Sequence, residues 1–218
     1  MEWSRAIDGY CERLAPGFWA EPVNLLTNVA FLVAAIWCWR RAEGLVLPRL
    51  LAVVLFAIGV GSGLFHSFAM AWAATADTTP IGLFILLYVY AANRVYWRLP
   101  AWGAALGAAA FIPWTMLLTP AFAMLPFFAV SAFYWPVPLL IAIYAVLLWR
   151  RWPMVGRGLA LGAAILCVSL AFRSLDETLC AAWPVGTHFM WHLLNAAMLG
   201  WMIELLRRAL LAGPPRGG

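Results

Sequence analysis

The chain contains no lysine, and charged residues make up only 11% of its 218 positions. A soluble domain carries about a quarter, so a water-facing globular fold is excluded. Also missing are an interdomain linker and any low-complexity tract apart from the closing "GPPRGG". Met1–Glu21 is polar and acidic, which argues against a cleavable signal peptide. With no lysine, the net charge of +5 rests on arginine alone. The arginines stand at the ends of apolar runs rather than along one face. That is how a polytopic membrane protein carries charge, and it argues against a nucleic-acid partner.

What fills the chain instead is apolar residue, 66% of the total. A membrane crossing needs roughly 20 mostly apolar residues. Seven segments qualify, at about 21–40, 49–71, 78–97, 101–119, 132–150, 157–174 and 186–207. The proline-rich stretch 120–132 reads as a connection rather than a helix. Backbone polar groups inside a bilayer must be satisfied within the segment, so the spans are expected to be helices. The expected fold is an all-α membrane protein, a seven-transmembrane helix bundle forming one domain over 1–218. Residues 1–20 form an acidic segment outside the membrane, and 208–218 form a cytoplasmic tail.

Eleven arginines fall on one side of this topology: Arg40, Arg41, Arg49, Arg94, Arg98, Arg150, Arg151, Arg157, Arg207, Arg208 and Arg216. Only Arg5, Arg13 and Arg173 fall on the other. The positive-inside rule then puts the C-terminus in the cytoplasm and the N-terminus outside. The acids show the opposite bias, with Glu2, Asp8, Glu12, Glu21, Asp77, Asp176 and Glu177 outside or at outer span ends.

All three histidines of the chain come to a similar depth near the outer leaflet. His66 lies late in the second span, and His188 and His192 open the seventh. In "HFMWH" the i, i+4 spacing sets two imidazoles on one helix face. A third from another helix completes a three-nitrogen site, and three protein ligands plus water is the usual form of catalytic zinc. The plainer alternative is three packing histidines bonded to backbone carbonyls. A bis-histidine haem fits poorly, because i, i+4 residues on one helix cannot supply both axial positions. Asp77, in "ATADTTPIG", lies at the same level, eleven residues after His66. It suits a metal ligand, a partner of a ligating histidine or a general base. It also suits an N-terminal helix cap, with Pro80 at the helix start. Ser62, one turn below His66, either donates to an oxygen at the metal or bonds back to its own helix. Gly59, Gly61 and Gly63 around it permit close helix approach.

"YCE", "AEPVNLLTN", "GSGLFH", a following "D..P" and "H...H" with tryptophan before the second histidine resemble the alkaline ceramidases. These belong to a superfamily of seven-helix membrane hydrolases that includes the adiponectin and progestin receptor relatives. The resemblance implies zinc on His66, His188 and His192, with Asp77 and Ser62 acting on the attacking water and the amide oxygen. It implies calcium at Asp8, Glu12 and Glu21, although Asp8 stands one residue further from Glu12 than the family aspartate and Leu14 replaces an asparagine. It also implies a Cys11–Cys180 disulfide.

The function this supports is a zinc-dependent amidase. It would act on a ceramide-like lipid entering from the bilayer, in the inner membrane of a bacterium with its site toward the outer leaflet. A lipid receptor with a structural zinc site is the alternative. A transporter finds no support in repeats or broken helices.

Overall fold

A computed structural model describes residues 2–213; Arg216 and the rest of the tail beyond Gly213 lie outside them. Among the described residues the fold is all-helical, with one isolated antiparallel bridge between Ala6 and Met70. Six helices are long and apolar enough to cross a membrane, which marks the chain as a multi-pass integral membrane protein. They are α1 Pro22–Arg41, α2 Val46–Phe68, α3 Ala71–Val95, α4 Ala101–Ala123, α6 Pro153–Leu179 and α7 His188–Ala212. At about 1.5 Å per residue they span roughly 30–40 Å, enough for a hydrocarbon core of about 30 Å. Between α4 and α6 lies a shorter apolar helix, α5 Pro136–Leu148.

Helices that follow one another in sequence pack together, and α7 returns to α1 to close the bundle. α7 also touches α2, α3 and α6, so it runs through the middle. Phe31, Leu51, Leu55, Leu159 and Leu206 form the packed interior with it. α5 has Tyr134 against Trp191 at its first end, with ring centroids 5.5 Å apart. At its other end Tyr144 donates to Asn93 Oδ1 at 2.9 Å and packs on Trp97, over which Arg151 also lies.

One sequence expectation needs correcting. α3 begins at Ala71, not at 78, so Asp77 lies inside the helix and is not its N-cap. Alanine at 71, 73, 74 and 76 favours helix. The hydroxyls of Thr75 and Thr78 bond back to Ala71 O and Ala74 O, at 3.0 and 2.8 Å, so neither breaks it. Pro80 is therefore internal, and having no N–H it leaves Ala76 O without its helical donor. Gly61 of α2 lies against that same carbonyl: a Cβ there would collide with Ala76 O and come within 2.8 Å of Ala76 C. The close approach sets Ser62 beside Asp77.

The N-terminal segment is tied down over the turn between α2 and α3. α2 ends at Ala69, whose φ of 46° is left-handed. The reversal is held by Ile7 N–H to Ala69 O at 2.7 Å and Ala71 N–H to Arg5 O at 3.0 Å. A disulfide joins Cys11 to Cys180, with Cα atoms 5.3 Å apart, as the family resemblance implied. Beside it the Asp176 carboxylate accepts from Cys11 N–H at 3.0 Å, Thr187 N–H at 2.6 Å and His188 N–H at 2.8 Å. Asp176 thus caps the start of α7 and fixes where His188 stands. Gly186, with φ of 69°, makes room for it, because a Cβ there would strike the carboxylate.

Candidate metal centre

α2 brings His66 from one side, and the first turn of α7 brings His188 and His192 from the other. All three are buried, and each offers a nitrogen within 4.8 Å of the others. Among the described residues this is the one group of three or more such side chains able to hold a metal.

One nitrogen of two of the rings is engaged, which leaves the other free for a metal. His66 Nδ1 meets Glu21 Oε2 at 2.6 Å, so Nε2 is left for a ligand. His192 Nδ1 meets Thr27 Oγ1 at 2.9 Å. Thr27 already donates to Val23 O at 2.8 Å, so its oxygen accepts from the ring and again leaves Nε2. That Nε2, and Nδ1 of His188, are buried without any partner. An unpaired buried nitrogen is costly, and a divalent metal would satisfy both. The donor set is therefore consistent with zinc: three imidazoles, with a carboxylate and a hydroxyl fixing ring orientation behind them. Tyr10 stacks on His188 with centroids 3.8 Å apart. Burial pushes its phenol up to about 12, so it remains neutral.

Ser62 is buried and Asp77 half-buried, and their side chains face each other where α2 meets α3. Ser62 makes no bond to its own helix, whereas Ser67 does, to Gly63 O at 2.9 Å. Its hydroxyl is thus left for the site. One helical turn from these residues, Ile58, Ile81, Trp191 and Asn195 begin the wall of an apolar cavity of about 70 Å³.

The three acids expected at calcium have other work. Glu12 accepts from Val23 N–H at 2.6 Å and Asn24 N–H at 2.8 Å, capping α1. Glu21 is taken by Arg13 at 2.5 Å, by Asn24 at 3.3 Å and by His66. Asp8 is exposed. Arg13, which also donates to His66 O at 3.0 Å, supplies the positive charge beside Glu21. These residues therefore do not fit a calcium cage, and no step is derived through that ion.

Sequence inspection did not find Glu21 and Thr27 as partners of the ligand rings, or Asp176 as the cap of α7. Only the first had a usable signal: a carboxylate opening a span at the depth of His66. Neither a scan against protein-family models nor a search of curated proteins finds a match to this chain.

Proposed function

We propose that the protein is a zinc-dependent intramembrane amidase of the alkaline ceramidase type, hydrolysing the amide bond of a ceramide-like lipid to a sphingoid base and a fatty acid. The observation that carries this reading is the convergence of three histidine nitrogens, Ser62 and Asp77 about one helical turn from the residues that line an apolar cavity. A structural metal site needs neither the serine nor the aspartate. Zinc held by three neutral imidazoles would supply Lewis acidity at the amide oxygen and lower the pKa of water to about 7.

The remaining work belongs to the chain. Asp77 orients the attacking water, takes its proton and passes it to the leaving nitrogen as the C–N bond breaks. Ser62 donates to the oxygen on which negative charge develops, a contribution of about 3 kcal/mol. The apolar cavity keeps the lipid chain out of water while the amide reaches the histidines.

The same reading sets seven crossings, the N-terminus outside and the C-terminus in the cytoplasm of a bacterial inner membrane. Two contacts favour counting α5 as a crossing. Its first end meets Trp191, near the histidines, and Arg151 after its last end meets Trp97, beside Arg94 and Arg98. Six crossings would put Arg150, Arg151, Arg157, Arg207 and Arg208 opposite Arg40, Arg41, Arg49, Arg94 and Arg98, against the positive-inside rule. Reporter fusions after Arg41, Arg98 and Arg157 should all report cytoplasm, and a periplasmic signal at any of them would overturn the topology. The activity is tested by mass spectrometry of purified protein incubated with ceramide. Wild type should release fatty acid, and Asp77→Asn should keep its zinc yet lose about two to four orders of magnitude in rate. Equal turnover by the variant refutes the mechanism. No turnover of any lipid amide by wild type refutes the enzyme and leaves a binding protein.

A further inference from the structure

An open groove runs between α1 and α2, next to the turn that joins them. Its volume is about 310 Å³, at the lower end of the range for small-ligand clefts. Ala35 and Ala52 form its floor, both buried and both too small to fill the space above them. Ile36 and Trp39 of α1 and Val53 and Phe56 of α2 form its walls, and all four are exposed. On a surface that faces lipid, such a groove takes hydrocarbon.

One end of the groove is basic. Arg40 closes it on the α1 side and is exposed. Arg49 stands one turn before Val53 on α2, with its Cζ 4.9 Å from the centre of the Trp39 ring. Its Nε is buried and without a hydrogen-bond partner among the described residues, which is costly. Neither arginine belongs to the five ion pairs among the described residues. Arg41, Arg207 and Arg208 share Glu204, and Glu43, in the turn itself, pairs with neither Arg40 nor Arg49. The first turn of α2 has no acidic residue and no side-chain cap, so the helix dipole leaves the same end positive. Hydrocarbon walls with unpaired guanidiniums at one end match a lipid whose head is a phosphate.

We infer that this groove holds an anionic phospholipid, with its phosphate on Arg40 and Arg49 and one acyl chain along Ile36, Trp39, Val53 and Phe56. From Arg49 to Phe56 the helix rises about 10 Å, so the groove grips the first part of the chain. The head group carries net negative charge. A head with its own ammonium would bring a cation up to two arginines that no described carboxylate pairs with. The lipid braces α1 against α2, the pair that carries Thr27, Ser62 and His66 toward its other end. The site does not depend on the amidase reading.

The test mixes the full chain, in nonionic detergent, with equal amounts of dioleoyl phosphatidylglycerol and dioleoyl phosphatidylethanolamine. Native mass spectrometry reads which lipid is retained. Wild type should retain the glycerol lipid about tenfold over the ethanolamine lipid. Arg40→Gln/Arg49→Gln should bring that ratio close to one. Arg40→Gln alone, at an exposed position, should lose part of it and keeps the test open should the double variant not fold. Lack of preference in wild type, or an unchanged ratio in the double variant, overturns the proposal. Arg150→Gln/Arg157→Gln removes the same charge where α5 leads into α6 and should leave the ratio as it is; an equal loss there reports overall charge and refutes the site. Val53→Trp fills the groove and keeps both arginines, so retention of phosphatidylglycerol should fall; unchanged retention places the lipid elsewhere. Millimolar inorganic phosphate should displace little of the lipid, and full displacement would assign the arginines to free phosphate instead. Phosphatidylglycerol should also raise the unfolding temperature of wild type but not of the arginine double variant. Retention without that rise overturns the brace.

Discussion

Replacing Glu21 with glutamine separates two tasks that one carboxylate performs. Glutamine keeps an acceptor oxygen but loses the charge that faces Arg13 at 2.5 Å and one of the two oxygens, of which Oε2 meets His66 at 2.6 Å. The pair is well shielded, with Arg13 7% and Glu21 1% exposed. Removing one member of a buried ion pair costs about 3–5 kcal/mol, largely because the other charge is left unpaired. Removing a carboxylate behind a ligating histidine typically costs about 10–100-fold in metal affinity. The two losses respond differently to a second change. Arg13→Gln on top of Glu21→Gln removes the stranded charge, so most of the lost stability should return. His66 still lacks its carboxylate in the double variant, so zinc affinity should stay low. The assay is competition for zinc against a chelating dye, paired with thermal unfolding of the zinc-free proteins. Wild-type zinc affinity in Glu21→Gln would refute the positioning role, and so would a double variant whose affinity recovers together with its stability.

The His188→Ala/His192→Ala double variant should fall from about one zinc per chain to nearly none by elemental analysis; unchanged content ends the metal assignment. Gly61→Ala drives a methyl group into the backbone at Ala76, so it should destabilise by about 1–3 kcal/mol and slow hydrolysis by spreading Ser62 from Asp77. Wild-type melting and rate in that variant would show that the close contact is dispensable. Reducing the Cys11–Cys180 bridge, which spans 169 residues, should lower the unfolding temperature, with up to about 5 kcal/mol available from chain entropy; an unchanged melt would show that the bridge adds nothing. Because Arg13 already faces Glu21, melting should be the same in millimolar calcium and in a calcium chelator, and a rise with calcium would contradict that account.

Much of the fold was legible because a bilayer imposes length and polarity on every span. Six of the expected apolar segments coincide with helices long enough to cross. The histidines were legible because rarity, depth and i, i+4 spacing point the same way without tertiary knowledge. The start of α3 was misread for a local reason. "ADTTP" carries the signature of a helix start, but the threonines satisfy themselves on the preceding turn and Gly61 covers the carbonyl exposed by Pro80. The groups behind the ligands could not be read, because Glu21, Thr27 and Asp176 act on residues far away in sequence. Asp176 looked like one more outer acid. Only the meeting of residue 11 with the start of α7 gives its two oxygens three donors.

That meeting has a bearing on how the protein is made. His66 takes its orienting carboxylate from the beginning of the chain, while the other two imidazoles arrive with the last helix. Cys11 and Asp176 clasp the same two ends. A nascent chain that has inserted everything except α7 holds one histidine and an uncapped loop, and so has no place for a metal. The machinery comes into being in a single late event, when the first segment and the final helix lock together. On the amidase reading, the growing polypeptide is inert toward the surrounding lipids until then.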